Sequence, residues 1–143
     1  MLNAKIFLTV ALITTLAIAA TAQTNSSQLA YAEITGVKSI RLAWVGENRH
    51  KPIVVTSADQ LRSAMPQIFD QDTVSKKVNF DTHELLIFAW KGNSWERLHA
   101  RTKGSMIEFY YWTRAQKDLH LHLKLFKVKK GTKWNVVTEP DPR

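Results

Sequence analysis

Residues 84–91 read ELLIFAWK, apolar on both faces of an extended chain. Alternate side chains of a strand point to opposite sides, so such a strand must be covered above and below. The segment predicts a central strand in a layered domain, and the rest of the chain must supply the layers. Met106 to Thr113, MIEFYYWT, is a second aromatic-rich strand. The turn signals Gly92-Asn93-Ser94 and Lys103-Gly104-Ser105 bracket a third, Trp95 to Ala100. Shorter extended segments are predicted at Pro52 to Val55 and Lys77 to Phe80, and strands at Leu119 to Lys129 and Trp134 to Thr138. Pro140 and Pro142 stop the last one, because proline cannot continue a ladder. Ile40, Leu42 and Trp44 share a face and predict one more strand within Glu33 to Val45.

One helix stands out, Ala58 to Met65. Ser57-Ala58-Asp59-Gln60 has the S-x-x-Q form in which a hydroxyl caps the first turn and a glutamine reaches back. Leu61, Ala64, Met65 and Ile68 recur at helical spacing, and Pro66 marks the end. The expected fold is α+β: a mainly antiparallel sheet of six or seven strands, a meander or a sandwich, with one short helix.

The first residues carry an export pattern. MLNAK holds one charge, Lys5; residues 6–20 are uncharged; Ala20-Thr21-Ala22 places small residues where a signal peptidase cuts. The apolar run is 15 residues, short of the roughly 20 that span a bilayer. Cleavage near Ala22 is expected, with residues 1–22 a signal peptide, 23–32 a flexible polar tail and 33–143 one globular domain. The chain then works in the periplasm or outside the cell and meets the membrane only through the cleaved signal.

There is no cysteine in the chain, so disulfides and lipid attachment at a cleavage-site cysteine are excluded. Packing of five Trp, six Phe and three Tyr must stabilise the fold. The charge is +8, or +7 once Lys5 is removed. That balance disfavours basic partners and permits anionic ones, such as an acidic protein, an envelope polymer or a lipid headgroup. In an exported protein nucleic acid is not the expected partner.

The stretch DLHLHLKLFKVKKG, residues 118–131, carries two candidate signals. Lys124, Lys127, Lys129, Lys130 and Lys133 crowd one end, as in an anion-binding patch or a sheet edge kept soluble by charge. Leu119, Leu121, Leu123 and Leu125 share one face and His120, His122 and Lys124 the other; Phe126 and Val128 then fall on the histidine side. A bulge near Leu125-Phe126, or a strand running past its core, would account for the phase change. His120 and His122 sit two apart, as metal ligands on a strand do, with His99 as a third ligand and His83 or Asp81 only if the fold brings them close. Barrel metal sites with H-x-H usually add an acidic residue shortly after, and none occurs from Leu119 to Thr138. A solvent-facing pair is the simpler reading, and no cofactor is expected.

Catalytic signatures are missing. Ser94 and Ser105 occupy turns, but neither lies in a G-x-S-x-G elbow. No phosphate-binding glycine loop occurs. Glu96 and Glu108 could face each other on neighbouring strands as a glycosidase pair does, although a glutamate beside Arg97 or Arg101 reads more simply as a cross-strand ion pair. The expectation is a non-enzyme. Trp44, Trp90, Trp112 and Trp134 lie within apolar strands and read as core. Trp95 follows a turn and, with Arg97 and Arg101, forms the expected binding surface.

IVVTSADQLRSAMPQIF followed by KKVNFDTHELLIFAWKGN resembles the small exported bacterial domains of the protease-complex-subunit (PrcB-like) type, over Ile53 to Trp112. There a D-F strand start precedes a hydrophobic strand and a glycine turn; here Asn93 to Glu96 replaces the usual Gly-Gly-Tyr-like segment. The resemblance implies an antiparallel β domain that binds another envelope protein and has no activity of its own.

Overall fold

The computed structural model describes residues 30–37, 49–64, 70–113 and 117–140. In chain order the elements are β1 (Tyr31–Glu33), β2 (Ile53–Val55), α1 (Ala58–Ala64), α2 (Gln71–Lys77), β3 (His83–Gly92), β4 (Arg97–Lys103), β5 (Met106–Thr113), β6 (His120–Lys129) and β7 (Lys133–Pro140). One sheet runs β1-β6-β3-β2 and is antiparallel throughout; the other runs β4-β5-β7. The fold is α+β and mainly β. The strand expected around Ile40, Leu42 and Trp44 lies outside the described residues.

β3 has the cover its sequence demands. Leu85 and Ile87 join Leu61, Val74, Val78 and Leu125 in a cluster beneath α1 and α2. Leu86, Phe88 and Trp90 face the second sheet and meet Leu98, Phe109 and Tyr111. The result is three layers: helices, first sheet, second sheet. On one side of the sandwich Tyr31 of β1 donates from its hydroxyl to the Ala100 carbonyl of β4, 2.8 Å away, and ties the two sheet edges together.

Four expectations need correction. There are two helices among the described residues, not one. The residues read as a strand at Lys77–Phe80 are the end of α2 and a turn, in which Asn79 accepts from the Asp81 N–H (2.9 Å) and from the His83 N–H (2.9 Å). The flexible tail was set too long, because β1 begins at Tyr31 and pairs with β6 from Tyr31↔Val128 to Glu33↔Phe126. The second sheet is mixed: β5 and β7 are parallel, from Met106↔Lys133 to Thr113↔Pro140. Parallel strands need a crossover, and here it is β6 of the other sheet. Gly131, at φ 80°, turns the chain from one sheet to the other, a conformation open to glycine at little cost.

β6 contains no bulge. Its register with β3 is unbroken from His83↔Lys129 to Gly92↔His120. The phase changes because the two covering layers are offset along it. The helices cover Leu125, with Leu123 beside it, on one face; the second sheet covers Phe126 and Val128 on the other. Leu119 and Leu121 run beyond both and are exposed. Nor is the lysine-rich end a sheet edge, since β1 lies alongside it.

Candidate binding face

The inward residues of the second sheet are Leu98, Ala100, Ile107, Phe109, Tyr111 and Val136. Strand alternation therefore turns Arg97, His99, Arg101 and Lys103 of β4, and Met106, Glu108, Tyr110 and Trp112 of β5, to the outer side. Neither described helix packs there; α1 meets α2 and β2. Among the described residues no second layer lies on this face, which carries rings and cations. His99 stacks on Tyr110 at 5.4 Å and 24° and meets Trp112 at 5.2 Å. The Arg101 guanidinium lies 4.6 Å from the Tyr110 ring centre. Glu108 is buried beneath its neighbours and accepts from Arg101 Nε at 2.8 Å and Lys103 Nζ at 3.1 Å. These two cations, Arg101 first, hold its carboxyl below the usual carboxylate range. Two polar atoms of this face, His99 Nε2 and Asn135 Oδ1, are enclosed without a hydrogen-bond partner.

Trp112 was read as core and is 43% exposed; Trp134 is half-buried and Trp90 buried. The signal for Trp112 lay in its alternation with Glu108, which marks that side of β5 as the polar one. Trp95 is 53% exposed, on the turn between β3 and β4. Asn93 Oδ1 holds that turn by accepting from the N–H groups of Trp95 (2.9 Å) and Glu96 (3.1 Å). Arg97 donates to the Ser94 carbonyl at 2.6 Å. The turn thus sets Trp95 at the end of β4, next to the face that carries Arg97 and Arg101.

Beneath the turn lies a polar knot. Glu96 is buried, and its Oε2 accepts from Trp90 Nε1 at 2.9 Å and from an Arg49 nitrogen at 2.8 Å. Arg49 also donates to the Lys91 carbonyl at 3.0 Å, and its own carbonyl accepts from the Tyr111 hydroxyl at 2.7 Å. Burial pushes the Tyr111 phenol above its ordinary range. Glu96 therefore ties the turn to the core. It lies on the inner side and Glu108 on the outer, so the two do not face each other across a cleft as a glycosidase pair must.

The histidines do not converge. His122 does not face water, as expected from its strand face; it is half-buried, stacks on Trp90, and lies 3.0 Å from the Asn93 carbonyl through Nε2. His120 pairs with Asp118 at 3.1 Å. His99 is on the far side of the second sheet. Among the described residues no group of three or more His, Asp or Glu side chains is placed to hold a metal ion. Ser94, Asp118 and His120 are neighbours, but the carboxylate sits between serine and histidine. Asp118 accepts from the Ser94 N–H at 3.3 Å and contacts His120. A serine nucleophile needs the histidine next to it.

The lysine run is dispersed. Lys124 pairs with Glu33. Lys127 turns to the helix side of the first sheet, beside Lys76 and Lys77. Lys129 and Lys130 sit at the end of β6, and Lys133 opposes Met106 on the second sheet. In comparisons with protein-family models, curated proteins and solved structures, nothing matches this chain.

Proposed function

We propose that this chain is a non-catalytic exported binding module that docks an acidic segment of another exported protein on the outer face of β4-β5-β7. The carrying observation is that face, where Tyr110, His99 and Trp112, which is 43% exposed, form a ring cluster flanked by Arg97, Arg101 and Lys103. Aromatic and arginine side chains anchor interfaces because they bury large areas and still make polar bonds. Charge complementarity favours an acidic partner, since Arg97, Arg101 and Lys103 leave positive charge on this face after two of them engage Glu108. The export pattern supports the compartment. The protease-complex resemblance supports an accessory role and rests on the motifs of residues 53–112.

The test is capture of the partner from the cell envelope on immobilised wild-type protein and on a Trp95→Ala/Trp112→Ala variant, washed at high salt. Wild type should retain one stoichiometric acidic protein, and the variant should bind it at least about 30-fold more weakly, as loss of an anchor worth about 2 kcal/mol implies. Equal retention by both, or none by wild type, would overturn the reading.

A further inference from the structure

We propose that the cleft between β1 and α2 is a binding site for a phosphate-bearing ligand, separate from the docking face. The cleft is about 420 Å³ and is lined by residues 32–35 together with Lys76, Lys77 and Lys127. Its three ammonium groups come from two elements distant in sequence, the last turn of α2 and the C-terminal part of β6. None of the three belongs to an ion pair among the described residues. Lys77 donates to the Thr35 carbonyl at 2.6 Å, which fixes its position at the rim. Lys76 acts on Asp70, whose carboxylate is committed to Thr73 at the start of α2. Three like charges around one concave space repel one another, and a compact multivalent anion reverses the sign of that interaction.

The surrounding acid does not fill the role. Among the described residues Glu33 is the one acidic residue on the lining. Its partner in register is Phe126, so its side chain lies on the second-sheet side, where Lys124 takes it. Lys127 pairs with Ala32 and lies on the helix side. The cleft thus keeps its positive charge while the carboxylate is neutralised on the opposite face. The main chain adds a donor. Ala30 and Ile34 bond to β6, so by the alternation of an antiparallel pair the Glu33 N–H points outward from β1. Lysine is a usual phosphate ligand as a mobile point charge. A phosphate ester can arrive on a soluble or polymeric molecule or as a lipid headgroup, and the chemistry at the cleft is the same.

Two probes separate these sources: inorganic pyrophosphate in calorimetric titration, and phosphatidylglycerol vesicles in co-sedimentation. The Lys76→Gln/Lys127→Gln variant should weaken binding about tenfold, the effect of two lost surface ion pairs. Lys129→Gln/Lys130→Gln removes the same charge elsewhere and should change it less than about twofold. Lys127→Arg keeps the charge and should retain binding, which separates the site from any effect on folding. Cleft-dependent binding of pyrophosphate supports a soluble phosphate ester; cleft-dependent binding of vesicles alone supports a headgroup. No binding of either probe, or equal losses in the two double variants, would overturn the proposal.

Discussion

The imidazole of His122 lies flat on the indole of Trp90, with 4.7 Å between ring centroids and 10° between planes. Burial lowers its pKa from 6.5; the Asn93 carbonyl and Glu96 oppose the shift, while Arg97 and His120 reinforce it. The unfolded chain therefore takes up this proton before the folded one does. The associated stability is complete above 6.5 and is lost as pH falls to the folded value. Melting temperature should drop between about pH 7.5 and about pH 5, the range in which histidine titrates. His122→Phe keeps a ring on Trp90 and should flatten that dependence. Identical pH profiles for the two proteins would show that His122 is not its source.

Gly92 is dictated by Glu96. A Cβ at Gly92 would lie 2.0 Å from Glu96 Oε2. Gly92→Ala must displace the carboxylate from Trp90 and Arg49, at a cost of about 2–3 kcal/mol for a broken, partly buried pair. Gly104→Ala meets no atom within 4 Å and carries only the strain of φ 62°, about 1 kcal/mol. In a Glu96→Ala background the Gly92 substitution should lose most of its effect. Urea unfolding of the four variants reads this out; additive losses would break the link between the two residues.

The residue pattern disclosed what each strand needs, but not where the chain finds it. The double-faced run of β3 foretold two covering layers, and both are present. The bounds of β5 agree with its sequence pattern, yet Trp112 reads as core there because ring content outweighs the Glu108–Tyr110–Trp112 alternation. The parallel pairing of β7 with β5 was not legible, since it depends on β6 crossing from one sheet to the other. Five lysines within ten residues suggest one patch, but strand alternation and the turn at Gly131 separate them. The cleft lysines Lys76 and Lys77 had no visible role before α2 was placed against β1.

On the docking face, His99 stacks on Tyr110 while its Nε2 is enclosed without a partner. Replacing an unsatisfied polar group by an apolar one of similar shape is neutral or stabilising. His99→Phe should leave the unfolding midpoint unchanged or raise it. His99→Ala removes the ring contacts with Tyr110 and Trp112 and should cost about 1 kcal/mol. A clear loss in His99→Phe, measured by chemical denaturation, would mean that Nε2 finds a partner in solution.

Helix α2 was missed because only Val74 and Val78 mark its apolar face, while its start is written in a single cap. Asp70 Oδ1 accepts from the Thr73 N–H at 3.1 Å and Oδ2 from the Thr73 hydroxyl at 2.5 Å. The cap satisfies a donor that the first turn leaves open. The Thr73 hydroxyl, followed by its N–H, lowers the Asp70 pKa from 3.8, and Lys76 contributes least. The carboxylate's contribution is therefore present above pH 3.8 and is lost as pH falls through the folded value. Asp70→Ala should lower the urea midpoint at neutral pH, and Asp70→Asn, which still accepts through its amide oxygen, should restore most of it. The gap between wild type and Asp70→Ala should narrow in acid. Because α2 carries Lys76 and Lys77 to the cleft, Asp70→Ala should also weaken pyrophosphate binding, and a midpoint loss without that weakening would separate the helix from the site.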